Sequence, residues 1–101
     1  MTVGLDSVIV QEDEPVAAEV DGEVVMLSER AGAYFGLDGV GSEIWRLLAQ
    51  PRRVSDLCQS LAQRYDADAD TLIRDVTSFL DELLARKLVR LVDRPAEKIQ
   101  C

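Results

Sequence analysis

The 101-residue chain has no histidine, two cysteines and only five aromatic residues. Without histidine, the commonest general base and the commonest metal ligand are both missing. Cys58 and Cys101 lack the spacing of zinc ligands, and the second ends the sequence, so neither a zinc site nor a disulfide framework is indicated. Long apolar runs are absent too. Nothing approaches the roughly 18 residues of a membrane span, and the N-terminus lacks the basic start and apolar stretch of a signal peptide. Gly36, Gly39 and Gly41 are followed by no Lys-Ser or Lys-Thr, which excludes a P-loop, and Gly39-x-Gly41 has no βαβ unit around it. The carboxylates at 12–14 and 66–70 do not follow the ligand pattern of a calcium loop. These absences point to a non-enzymatic cytoplasmic protein with no metal and no cofactor.

Basic residues are scarce at one end. Residues 1–29 hold eight acids and no Lys or Arg, and residues 1–50 hold ten acids against two bases. Residues 51–101 hold nine of each, so the whole formal charge of −8 lies in the first half. An apolar content of 48% is ordinary for a globular domain, and the length suits one.

Residues 1–15 read as a flexible acidic arm, 16–92 as the folded domain and 93–101 as a polar tail. Val8-Ile9-Val10 is an apolar triplet suited to a sheet edge, but Glu12-Asp13-Glu14-Pro15 interrupts it. Val16, Ala18 and Val20 alternate with Ala17 and Glu19, the period of a half-buried strand. Asp21-Gly22 is a hairpin signal, because both central positions of a type I′ turn need positive φ. Glu23–Ser28 and Ala33–Leu37 supply two further strands, which completes an antiparallel meander. From Asp38 the apolar period becomes about 3.6 residues. Asp38 or Ser42 can cap a helix carrying Val40, Ile44, Leu47 and Leu48. Ser55 can cap a second with Leu57, Cys58, Leu61, Ala62 and Tyr65 on one face. Asp68 can cap a third that runs to about Arg86, and Leu88–Val92 suits one more short β segment or a turn. The fold class is α+β: a three-stranded antiparallel sheet followed by three helices, similar to a winged helix-turn-helix.

The third helix carries more apolar surface than one core contact uses. Advancing about 100° per residue from Leu72, the positions from Phe79 through Leu83, Val76, Leu80 and Ile73 to Leu84 span an arc of about 140°, against a usual stripe of roughly 100°. The strand Ala33–Leu37 has neither charge nor proline, so as an edge it is unprotected. A bare edge beside a helix with spare apolar surface describes a peptide groove. Two other classes remain open. A winged-helix DNA binder is opposed by the charge of residues 70–87, four acids against three bases, where phosphate neutralisation requires the reverse. A dimerisation module would pair two third strands.

Three segments, Asp21 to Leu27, Gly32 to Asp38 and Val40 to Leu48, resemble the PqqD-like family in order and spacing. So do Val54 to Leu57, Tyr65 to Asp68, and Phe79 to Leu84 followed by Leu88-Val89. The resemblance covers about residues 16 to 92. It implies a RiPP recognition element, a non-catalytic domain that binds the leader of a ribosomally made precursor peptide. In that family the leader adds as a fourth strand to the third strand and packs on the third helix. Carried onto this sequence, the peptide-binding residues are Ala33, Tyr34, Phe35, Gly36, Leu37, Leu72, Asp75, Val76, Phe79, Glu82 and Leu83. The chain is most similar to the stand-alone leader-binding proteins of lasso-peptide biosynthesis, whose partner is a leader peptidase of the cysteine protease type. The pyrroloquinoline quinone chaperone, which serves a radical SAM enzyme, is the alternative. Either way the expected partners are peptide and enzyme, not nucleic acid or membrane, with the chain a monomer or weak dimer.

Overall fold

A computed structural model describes residues 3–30, 32–66 and 68–92. The polar tail at 93–101, and Cys101 with it, lies outside the described residues. Six strands and three helices follow in the order β1 (Val8–Gln11), β2 (Val16–Val20), β3 (Glu23–Ser28), β4 (Ala33–Gly36), α1 (Gly39–Leu47), β5 (Arg52–Arg53), α2 (Val54–Arg64), α3 (Ala69–Ala85) and β6 (Val89–Leu91). The expected meander is present as an antiparallel sheet ordered β2-β3-β4, which leaves β4 as an edge. Its first turn is built as the sequence implies, with Asp21 at φ 53° and Gly22 at φ 84°.

A second sheet, ordered β5-β1-β6, corrects the reading of residues 1–15 as a flexible arm. β1 is its central strand, pairing Ile9 with Arg52 on one side and with Leu91 on the other. Ile9 is fully buried, and Val3 is tied to α3 by its amide, which donates to Asp81 Oδ1 at 2.9 Å. Ile9 is buried because it closes the end of the core formed by α1, α2 and β6, joining Leu48, Leu57, Leu61 and Leu88, while Val10 is buried beside it and Val8 half-buried. Glu12–Pro15 then carries the chain from one sheet to the other.

Asp38 caps α1, its carboxylate accepting from the Gly41 amide at 2.7 Å, and Asp68 caps α3 by accepting from Thr71 at 3.2 Å. Ser55 does not cap α2. That helix begins at Val54, held instead by the Val54 and Ser55 amides donating to the carbonyls of Ser7 and Leu5. Ala62 is exposed rather than on the buried stripe, and Tyr65 lies past the end of α2. α3 closes with Lys87 in the left-handed region at φ 61°, its amide donating to Leu84 and that of Leu88 to Leu83. This double bond satisfies the last carbonyls and turns the chain back toward β6.

Candidate functional site: the cleft between the edge strand and the third helix

Register and hydrogen bonding fix how β4 presents itself. Its partners on β3 are Ser28 to Ala33, Leu27 to Tyr34, Met26 to Phe35 and Val25 to Gly36, and the Leu37 amide donates to Val24 at 2.9 Å. Antiparallel pairing alternates along a strand, so Ala33, Phe35 and Leu37 direct their backbone groups to β3. The N–H and C=O groups of Tyr34 and Gly36 therefore point away, along the free edge. Side chains alternate as well. Phe35 shares the helix-facing side with buried Met26, whereas Tyr34 stands with Leu27 on the opposite face, at the rim. The sequence left the direction of Tyr34 open; its register partner decides it.

Beside this edge lies a cleft of about 820 Å³. It is walled by Tyr34, Phe35, Gly36 and Leu37 from β4 and its exit, and by Leu72, Asp75, Val76, Phe79, Glu82 and Leu83 from α3. Of the eleven residues singled out from the sequence, Ala33 alone is not in its lining. The surplus arc of α3 is thereby explained. Leu80, with Ile73 and Leu84, packs into the core on one side of the helix, while the arc from Glu82 through Phe79 to Val76 turns to the cleft. Val76 and Leu83 are buried at the cleft floor, Phe79 is half-buried, and Asp75 and Glu82 are exposed on the rim.

Seven lining residues were not assigned to the site from the sequence: Asp38, Val40, Gly41, Ile44, Tyr65, Arg86 and Leu88, of which Val40, Tyr65 and Arg86 matter most. Val40 and Tyr65 signalled only helix faces, yet both are partly exposed at the cleft. Arg86 signalled only favourable charge at a helix end. Its guanidinium sits 5.5 Å from the centroid of the Phe35 ring, and also pairs with Glu82 at 3.7 Å. A cation over an aromatic face is attracted by the ring quadrupole, so this contact ties α3 to β4 across the cleft.

Two further groups position the edge strand. Ser42, fully buried, accepts from the Val24 amide at 2.8 Å and donates to the Leu37 carbonyl at 3.2 Å. Its hydroxyl is inserted into the ladder rung that β3 and β4 would otherwise close directly, at the point where the chain leaves for α1. Gly41 sits close by. A Cβ there would lie 3.1 Å from Asp38 Oδ1 and 3.2 Å from the tip of the Phe79 ring, so glycine lets that ring seat against α1. Glu14 holds the turn before β4. It accepts from the Ser28 hydroxyl at 2.9 Å and from the Glu29 and Arg30 amides at 2.6 and 3.3 Å. Desolvation acts to raise its pKa, but these hydrogen bonds, with the Arg30 charge, outweigh it and hold the carboxyl below its ordinary value.

Cys58 is buried on α2, and desolvation pushes its thiol up, which keeps it protonated and unreactive. Among the described residues, no three His, Cys, Asp or Glu side chains are grouped to hold a metal, and no helix is long and apolar enough to cross a membrane. Arg52 and Arg53 belong to β5, and Arg46 is spent on Glu19 at 2.8 Å, which lowers the Glu19 pKa mainly through that hydrogen bond. The winged-helix DNA-binding reading thus gains nothing from the arrangement of these basic residues.

Comparison with known proteins agrees with this geometry. The chain is similar to the solved structure of TbiB1 in complex with the TbiA(beta) leader peptide. Identity is 38% over 80% of this chain and 94% of that one, with a TM-score of 0.75. It shares its fold with lasso peptide synthetase B1 complexed with a leader peptide, at 22% identity over 81% of this chain and 96% of that one, TM-score 0.72. No curated protein matches it. The family model for coenzyme PQQ synthesis protein D matches residues 23–89, two-thirds of the chain. The chain belongs to the PqqD family.

Proposed function

We propose that the protein is a leader-peptide carrier: it captures the leader of a ribosomally made precursor by adding it as a fourth strand beside β4. The observation that carries this reading is the free backbone edge of Tyr34 and Gly36 alongside an apolar cleft. Main-chain bonds to the edge supply affinity that is indifferent to sequence, and alternate side chains entering the cleft supply specificity. In this reading the peptide's inward residues contact Phe35, Leu72, Val76, Phe79 and Leu83, and a basic residue meets Asp75 or Glu82. Ala33 and Leu37 bound the paired segment, with Tyr34 covering it from the rim.

The chain itself does no chemistry in this account. It acts in the cytoplasm as a monomer and delivers the bound leader to a cysteine-protease leader peptidase in lasso-peptide biosynthesis. The similarity to TbiB1 at 38% identity supports leader binding, and the fold shared with lasso peptide synthetase B1 favours that pathway. The family's name favours the alternative, a chaperone of pyrroloquinoline quinone synthesis with a radical SAM partner. Titration of fluorescent leader peptides of both classes separates the two, since only the cognate leader should saturate the cleft. Phe79→Ala and Val76→Glu should weaken that binding in chains that remain folded. Unchanged affinity in both variants removes the cleft from the function.

A further inference from the structure

Backbone pairing along β4 accepts a strand running in either sense, so the edge alone fixes neither the direction nor the register of a bound peptide. The side chains along the cleft break that symmetry. β4 and α3 run in opposite senses there. Near the start of the strand, the Phe35 ring lies under the guanidinium of Arg86, the C-cap of α3. Past the end of the strand, the tip of the Phe79 ring seats against Gly41. Leu72 and Asp75 from the first two turns of α3, with Val40 of α1 and Tyr65 after α2, line what lies beyond.

Four charged residues line the cleft, and they are not equally engaged. Asp38 is committed to the cap of α1 through the Gly41 amide, and Glu82 faces Arg86 at 3.7 Å. Asp75 is exposed, and among the described residues no cation is in ion-pair range of it. The contact of Arg86 with Glu82 is too long for a hydrogen bond, and half of the arginine side chain is exposed, so its N–H groups are open to a ligand. The cleft therefore has an open negative charge at one end and an open positive charge at the other.

We infer that this polarity sets the direction and register of the bound peptide: the cleft takes a segment that carries a Lys or Arg to Asp75 and an Asp or Glu to Arg86. This rests on the leader-carrier reading and specifies its substrate. The stem of the basic residue has apolar surface to lie on at Val40, Leu72 and Tyr65, with only its head at Asp75. The acid meets a planar donor group already held over the Phe35 ring. Eleven positions separate Asp75 from Arg86 along α3, about 16 Å at about 1.5 Å per residue. Extended chain covers that in about five residues, and only every second side chain faces the helix, so the two charges stand four or six residues apart. A peptide entering the other way sets like charges against each other at both ends, which excludes it.

The test uses the full chain and two fluorescent synthetic peptides: the leader of the precursor encoded beside its gene, and the same leader with that base and acid exchanged. The exchange keeps composition and net charge, so long-range attraction is equal for both. Anisotropy titrations compare the wild type with Asp75→Lys/Arg86→Glu, a pair of changes that leaves the chain at −8. The exchanged leader should bind the wild type about tenfold or more weakly, because two attractions become two repulsions, and the double variant should prefer it. Binding of both peptides to the wild type within about twofold overturns the inference, as does a folded double variant that keeps the wild-type preference. A leader with no opposite charges four or six residues apart overturns it before any titration. If the double variant does not fold, Asp75→Lys alone, changed at an exposed position, must shift the preference toward the exchanged leader; an unshifted preference overturns the inference. Failure of both peptides to bind the wild type defeats the carrier reading instead, whereas equal binding of both leaves that reading standing.

Discussion

Ser42→Ala removes one oxygen and should cost the fold a large share of its stability. The hydroxyl is fully buried and completes a rung between two strands, accepting from Val24 and donating to Leu37. Alanine leaves a buried amide without an acceptor and a buried carbonyl with a lost donor. The hydrogen bond to the carbonyl contributes about 1 kcal/mol net, and the buried amide left without an acceptor costs about 1–3 kcal/mol in place of its own bond's net worth. Ser42 lies in α1, where alanine is the better helix former by about 0.5 kcal/mol. The expected loss is about 2–3 kcal/mol, out of a total that is about 5–15 kcal/mol for a domain. In a domain of this size that lowers Tm by roughly 10–20 °C. Urea titration with matched m-values reads the loss directly, since an unchanged slope shows that the comparison is between the same two states. A change below about 0.5 kcal/mol refutes the inserted rung, because a water or a shifted backbone must then serve the two groups equally well.

Other outcomes follow from individual groups. The Glu14 carboxyl has its pKa lowered in the fold, so the stability it lends is present above the ordinary value of 4.5 and is lost as pH falls through the folded value. Protection of the Glu29 and Arg30 amides, measured against their intrinsic exchange rates, should therefore fall below pH 4.5 in the wild type and show no such step in Glu14→Gln; identical profiles exclude the latch. In a Cys101→Ser background, Cys58 should resist a thiol reagent at pH 8 until the chain unfolds, because burial raises its pKa. Rapid reaction in the native protein contradicts its placement in the core. Lys87→Gly should stabilise the fold by up to about 1 kcal/mol, since glycine adopts the left-handed conformation at φ 61° without steric cost. A loss of stability there would mean that the lysine side chain makes a compensating contact.

Much of the fold around the candidate cleft was legible in the sequence because its signals are local. Asp21-Gly22 sets the hairpin, alternation sets the strands, and Asp38 and Asp68 cap their helices by short-range bonds. The width of the apolar arc on α3 showed that the helix serves two surfaces, and the uncharged third strand showed where the second one lies. What escaped depends on partners distant in the chain. Val8–Val10 and Leu88–Val92 read as β candidates, but not their union: β1, β5 and β6 have four, two and three residues, and their sheet forms where Val8, Ile9 and Val10 meet Arg53, Leu91 and Arg90. Nothing near Ile9 foretells those pairings, so the N-terminal segment read as a loose arm. The rung role of Ser42 and the stacking of Arg86 on Phe35 likewise appear only once strand and helix are assembled. Apolar pattern identifies which surface is left over, whereas register identifies which side chains occupy it.

The central claim is that a peptide pairs with the free edge of β4. Residue-resolved amide hydrogen exchange, with and without saturating leader, tests it most directly. Tyr34 and Gly36, whose amides face the open edge, should gain strong protection on binding. Phe35 and Leu37, already bonded to β3, should change little. Protection that appears on α3 or elsewhere while Tyr34 and Gly36 continue to exchange freely would contradict strand addition.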